Sequence, residues 1–115
     1  MKDELLLVQN FKKTIFYIEK IIDNFPRSEK VLKDKIKSTN FDILELIYFS
    51  NSLELQQRIF YQKKIVAKLK MIDFYFKIAC DRKYISYKKY TYISGHFVVY
   101  NIKCTIDLGG KRWKL

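Results

Sequence analysis

Proline occurs once and glycine three times in 115 residues. So few turn formers exclude a fold of many short strands joined by tight turns. Cysteine is also scarce, and Cys80 and Cys104 show no paired spacing. That argues against a disulfide framework or a cysteine metal site, and both thiols are expected to be free on apolar helix faces. Histidine appears once, as His96, with no carboxylate or thiol at ligand or triad spacing around it. Carboxylates are few in the second half. No Glu-x-x-His pattern and no phosphate-loop, dinucleotide or nucleophile-elbow glycine motif is present. The expectation is a non-enzyme with no cofactor and no metal. No apolar run approaches the roughly 20 residues that span a bilayer, and residues 1–13 lack the pattern of a signal peptide. A cytoplasmic, reduced protein without membrane association is therefore expected.

What is present is apolar bulk and positive charge. Hydrophobic residues make up 49% of the chain, enough for a core, so global disorder is not expected. The length fits one domain over 1–115. Net charge is +11, from 23 Lys+Arg against 12 Asp+Glu, and it is unevenly placed. Residues 1–25 carry four basic and four acidic side chains, and residues 26–52 carry five and four. Residues 53–82 carry seven and three, and residues 83–115 seven and one. A positive field concentrated in one half attracts polyanions, whereas lysine serving solubility alone needs no such asymmetry.

Apolar spacing predicts four helices, at about 3–24, 28–50, 53–82 and 87–108, with a basic tail over 109–115. In the first, Val8, Phe11, Ile15, Ile18, Ile22 and Phe25 step by three and four. Pro26 stops it, because the residue before proline avoids the helical region. Ser28 is the expected cap of the second, whose seam is Leu32, Ile36, Thr39, Ile43, Leu46 and Ser50. The third carries Ile59, Gln62, Val66, Leu69, Ile72, Phe76 and Cys80. It also carries a second stripe of Phe60, Ala67, Met71, Phe74 and Ile78 on roughly the opposite side. In the fourth, Tyr90, Ile93, Phe97, Tyr100, Cys104 and Leu108 form the seam, Ser86 is the cap, and Gly109-Gly110 ends it. Short connections make this an all-α, up-down antiparallel four-helix bundle. A helix in a monomeric bundle needs one apolar stripe. Phe60, Met71, Phe74 and Ile78 are therefore expected to meet another copy, although a terminal segment would also cover them.

The cations are ordered as well. Lys63, Lys70 and Lys77 are seven apart and share one line of the third helix, and Lys64 and Lys68 lie on the other flank of its second stripe. On the fourth helix Lys89, His96 and Lys103 repeat at seven, with Tyr92 in the same strip. Such rows match regularly spaced phosphates, and a tyrosine among them stacks on an unpaired base. With Arg82, Lys83, Lys88, Lys111 and Arg112 they make up the expected nucleic-acid contacts, to RNA, DNA or both. The competing expectation is a helical structural or protein-interaction module whose charge is incidental.

Three stretches together resemble a known family. Asn24-Phe25-Pro26-Arg27-Ser28-Glu29-Lys30, with Leu32 and Ile36 downstream, is similar to the first interhelical junction of the accessory variability determinant (Avd) proteins of diversity-generating retroelements. The run Leu69 to Tyr90, above all Cys80-Asp81-Arg82-Lys83-Tyr84-Ile85-Ser86-Tyr87-Lys88-Lys89-Tyr90, resembles a later part. Gly109-Gly110 and Trp113 resemble the close of the fourth helix, although here Lys111-Arg112 stand between them. The resemblance implies a four-helix bundle that forms a basic homopentameric barrel. It also implies binding to nucleic acid, association with the element's reverse transcriptase, and support for error-prone copying of template RNA into cDNA.

Overall fold

A computed structural model describes the backbone from Lys2 to Thr105 and the side chains from Val8 to Phe97. It contains α1 (Lys2–Ile22), a 3-10 turn (Arg27–Glu29), α2 (Lys30–Asn51), α3 (Leu55–Asp81) and α4 (Tyr87–Thr105). Consecutive helices pack on one another, α1 on α2, α2 on α3 and α3 on α4. The loops over 52–54 and 82–86 are too short to return along helices that rise 1.5 Å per residue, so packed neighbours run antiparallel. The fold is all-α, a helical bundle as expected, among the described residues.

The core is built mainly of isoleucine and phenylalanine. Phe11, Ile18 and Ile22 of α1 are fully buried, with Ile36, Ile43 and Ile47 of α2 and Ile65, Leu69, Ile72 and Phe76 of α3; α4 adds the buried Ile93 and Phe97. Burial of each such side chain contributes about 1.5–3 kcal/mol. The whole α1 seam is buried as expected. Three seams need correction, that of α4 only in that Tyr90 is half-buried. In α2, Leu46 is half-buried and Ile47 and Asn40 are inside. In α3, Ile59, Val66 and Cys80 are half-buried, while Ile65 and Ala79 are buried. Three of the misses fall where two apolar residues adjoin, at Leu46-Ile47, Ile65-Val66 and Ala79-Cys80. Such pairs straddle the face, and tilt against the neighbouring helix selects which one enters.

The junctions show why the helices end where they do. After Ile22 the chain tightens, with the amides of Asn24 and Phe25 donating to the carbonyls of Ile21 and Ile22. Pro26 is extended (φ −57°, ψ 150°) and accepts from the Glu29 amide at 2.9 Å. Ser28 is not the cap of α2: it lies within the 3-10 turn, and Glu29 holds the cap position with no side-chain cap bond. Glu29 is used elsewhere, as shown below. The end of α3 is a Schellman motif, in which Tyr84 donates to the Ala79 carbonyl at 2.8 Å and Lys83 to that of Cys80 at 2.9 Å. Its left-handed position is Lys83, at φ 65°, where glycine is usual. Ser86 caps α4 as expected, its Oγ accepting from the Lys89 amide at 3.0 Å. The end of α4, the Gly109-Gly110 stop and the tail lie outside the described residues, as do the side chains of Lys103 and Cys104.

Candidate nucleic-acid interface

α3 turns its second stripe outward. Phe60, Met71 and Phe74 are 56%, 44% and 52% exposed. Ile78 departs from the expectation: it is half-buried and packs against the core. The stripe extends onto α2, because Tyr61 stands edge-on to both Phe49 (4.8 Å) and Phe60 (5.2 Å). Lys64 lies over the rings of Phe60 (5.0 Å) and Tyr61 (5.2 Å), cation against aromatic face.

Lys63, Lys70 and Lys77 flank that stripe, all exposed, and no ion pair joins them to another described residue. Lys83, Lys88 and Lys89 are exposed at the α3–α4 corner and the start of α4. Two other expected contacts are already engaged. The Lys68 ammonium meets Asp42 of α2 at 3.3 Å. Arg82 donates to Glu29 at 2.6 Å, and the Tyr84 hydroxyl donates to the same carboxylate oxygen at 2.7 Å. The hydrogen bond from Tyr84, then the charge of Arg82, holds the Glu29 carboxyl below its ordinary value, against the opposing effect of burial. Arg82 and Glu29 thus tie the α3–α4 corner to the start of α2. Tyr90 donates to Asp73 (3.2 Å); burial first, then the Asp73 charge, pushes its hydroxyl up. Lys111 and Arg112 lie outside the described residues.

The arrangement leaves α1 and α4 apart: among the described residues no Cα of one lies within 8 Å of the other. Side chains bridge the gap, with Tyr17 edge-on to Tyr92 (5.8 Å, 70°) and Tyr92 edge-on to His96 (4.8 Å, 78°). A hollow of about 270 Å³ opens on one side of the tyrosine pair, lined by Lys13, Thr14, Ile18, Ile93 and His96 together with the two rings. Another of about 290 Å³ lies on the other side, lined by Ser86, Lys88 and Lys89 with the same rings. The α4 strip of Lys89, Tyr92 and His96 was legible in the sequence. Lys13 and Tyr17 were missed, because α1 is charge-balanced; their spacing of four, which places both on one face, was the available signal.

Among the described residues no three His, Cys, Asp or Glu side chains group as metal ligands, and no helix is long and apolar enough to cross a membrane. No family model, curated protein or solved structure matches the chain.

Proposed function

We propose that this chain is a non-catalytic nucleic-acid-binding accessory protein of a diversity-generating retroelement. It works in the cytoplasm with the element's reverse transcriptase and template RNA during mutagenic cDNA synthesis. Copies assemble through Phe60, Met71 and Phe74, as a pentamer if the family resemblance extends to assembly. The observation that supports this reading best is the excess of positive charge on α3 and α4. From Leu55 to Phe97 there are ten Lys and Arg and two Asp; Lys68 and Arg82 pair with Asp42 and Glu29, while Lys63, Lys70 and Lys77 stay exposed. Phosphates neutralised by such rows release counterions, which gives affinity with little sequence preference.

Fluorescence anisotropy on labelled RNA over a salt series tests it. Each neutralised phosphate contributes about −0.9 (duplex) or −0.7 (single strand) to the slope of log K against log salt. Replacing Lys63, Lys70 and Lys77 together by Gln flattens that slope and weakens binding. Replacing Lys12 and Lys20, which do not line the hollows between α1 and α4, does much less. Equal losses favour the protein-interaction module with incidental charge, whose support is the exposed aromatic run from Phe49 to Phe60.

A further inference from the structure

The hollows between α1 and α4 differ in kind from the lysine row of α3. The floor of the first hollow is apolar, since Ile18 and Ile93 are buried core residues. Their wall is a pair of phenol rings, and Tyr92 remains 57% exposed despite its contacts with Tyr17 and His96. Their rim carries Lys13 on one side and Lys88 and Lys89 on the other, with no carboxylate among the lining residues. At about 270 Å³ the first hollow falls just below the roughly 300 Å³ at which pockets for drug-sized molecules begin, so it suits one ring system rather than a large cofactor.

Flat aromatic walls, an apolar floor and a cationic rim meet three demands of one ligand class. A nucleobase has two faces that stack, an edge that leaves water at a cost, and a phosphate on each side along the strand. In a duplex the faces are covered by neighbouring bases, so only an unpaired residue presents them. We infer that the α1–α4 groove is a stacking site for an unpaired nucleobase of single-stranded nucleic acid: Tyr92 and Tyr17 take the base, and Lys13, Lys88 and Lys89 take the flanking phosphates. The inference rests on the nucleic-acid reading above and adds a strand preference that the α3 row alone does not supply. Thr14, on the α1 wall, donates its hydroxyl to the Asn10 carbonyl at 3.1 Å, one turn back on the same helix.

The test uses the full chain and three labelled probes: a single-stranded 20-mer, a duplex of the same sequence, and a single strand of the same length whose sugars lack bases. Wild type binds the single strand more tightly than the abasic strand. Tyr92→Ala weakens binding to the single strand by roughly 5- to 100-fold, the range for loss of one base–aromatic stack. It leaves duplex and abasic binding within about twofold and the salt slope unchanged. Tyr92→Phe retains wild-type affinity, because the ring face does the binding. Both substitutions sit on an exposed position, and unchanged helicity by circular dichroism reports an intact fold. If wild type binds all three probes alike, or Tyr92→Ala loses equally on all of them, the base site is refuted and the nucleic-acid reading stands. If wild type binds none of them, both readings fall together.

Discussion

At the scale of single residues, two positions repay measurement. Lys83 occupies the left-handed corner of the Schellman motif, at φ 65°. A side chain there costs about 1–2 kcal/mol, which glycine avoids. Lys83→Gly should raise the midpoint of urea denaturation by the equivalent of about 1 kcal/mol, the freer unfolded chain offsetting part of the gain. No change would mean that Lys83 makes a compensating contact. Glu29 supplies a pH dependence. Its carboxyl is held below the ordinary 4.5 by Tyr84 and Arg82. A depressed folded pKa gives stability that is present above 4.5 and lost as pH falls through the folded value. Glu29→Gln should therefore lower stability at neutral pH and narrow the gap from wild type as the pH falls below 4.5 and through the lowered folded value. A parallel offset at all pH values would show that the carboxylate's charge contributes nothing. Lysine offers no sequence sign of a left-handed corner, and Glu29 and Arg82 are 53 positions apart, so neither feature was legible beforehand.

At the scale of helices, sequence reading worked along α1, whose seam keeps its spacing of three and four throughout. Val8, Phe11, Ile15, Ile18 and Ile22 are each buried as spaced, although Phe16 adjoins Ile15 and Ile21 adjoins Ile22. It failed at Leu46-Ile47, Ile65-Val66 and Ala79-Cys80, since residues 100° apart are equally good candidates for one face. Ile65 and Val66 turn that ambiguity into an experiment. Ile65 is fully buried and Val66 half-buried. Ile65→Ala should cost about 2–5 kcal/mol by chemical denaturation, because a buried branched side chain leaves a cavity. Val66→Ala should cost less than about 1.5 kcal/mol, since fewer of its methyl contacts are sealed from water. The reverse order would mean that α3 is rotated by one residue. The interface was legible in part for the same reason. Rows on one helix follow from spacing, and the lysines of α3 are exposed as spacing requires. The groove between α1 and α4 belongs to two helices more than 60 residues apart, and no periodicity within either one announces it.

At the scale of the whole molecule, the outward stripe of α3 and the cationic rows beside it pull in opposite directions. Covering Phe60, Met71 and Phe74 removes apolar surface from water, at roughly 25 cal/mol per Å². A stable interface buries on the order of 1,200 Å² or more. Yet Lys63, Lys70 and Lys77 lie on one flank of that stripe and Lys64 on the other. Copies meeting there bring like charges together, and that repulsion weakens as salt screens it. Assembly should therefore strengthen with added salt, or with added RNA, while the affinity for RNA falls with salt. Multi-angle light scattering on the 14.0 kDa chain separates these effects. Wild type should give a mass several times that of one chain, rising from about 50 mM to about 500 mM salt, opposite in sign to the counterion-release slope for RNA. Phe74→Glu should shift the mass toward a single chain at every salt concentration without loss of helicity, because Phe74 touches solvent rather than the core. Phe16→Glu, on the exposed Phe16 of α1, should leave the mass unchanged. A wild-type monomer at tens of micromolar in high salt would overturn the assembly. The lysine rows of α3 would then have to hold nucleic acid one copy at a time.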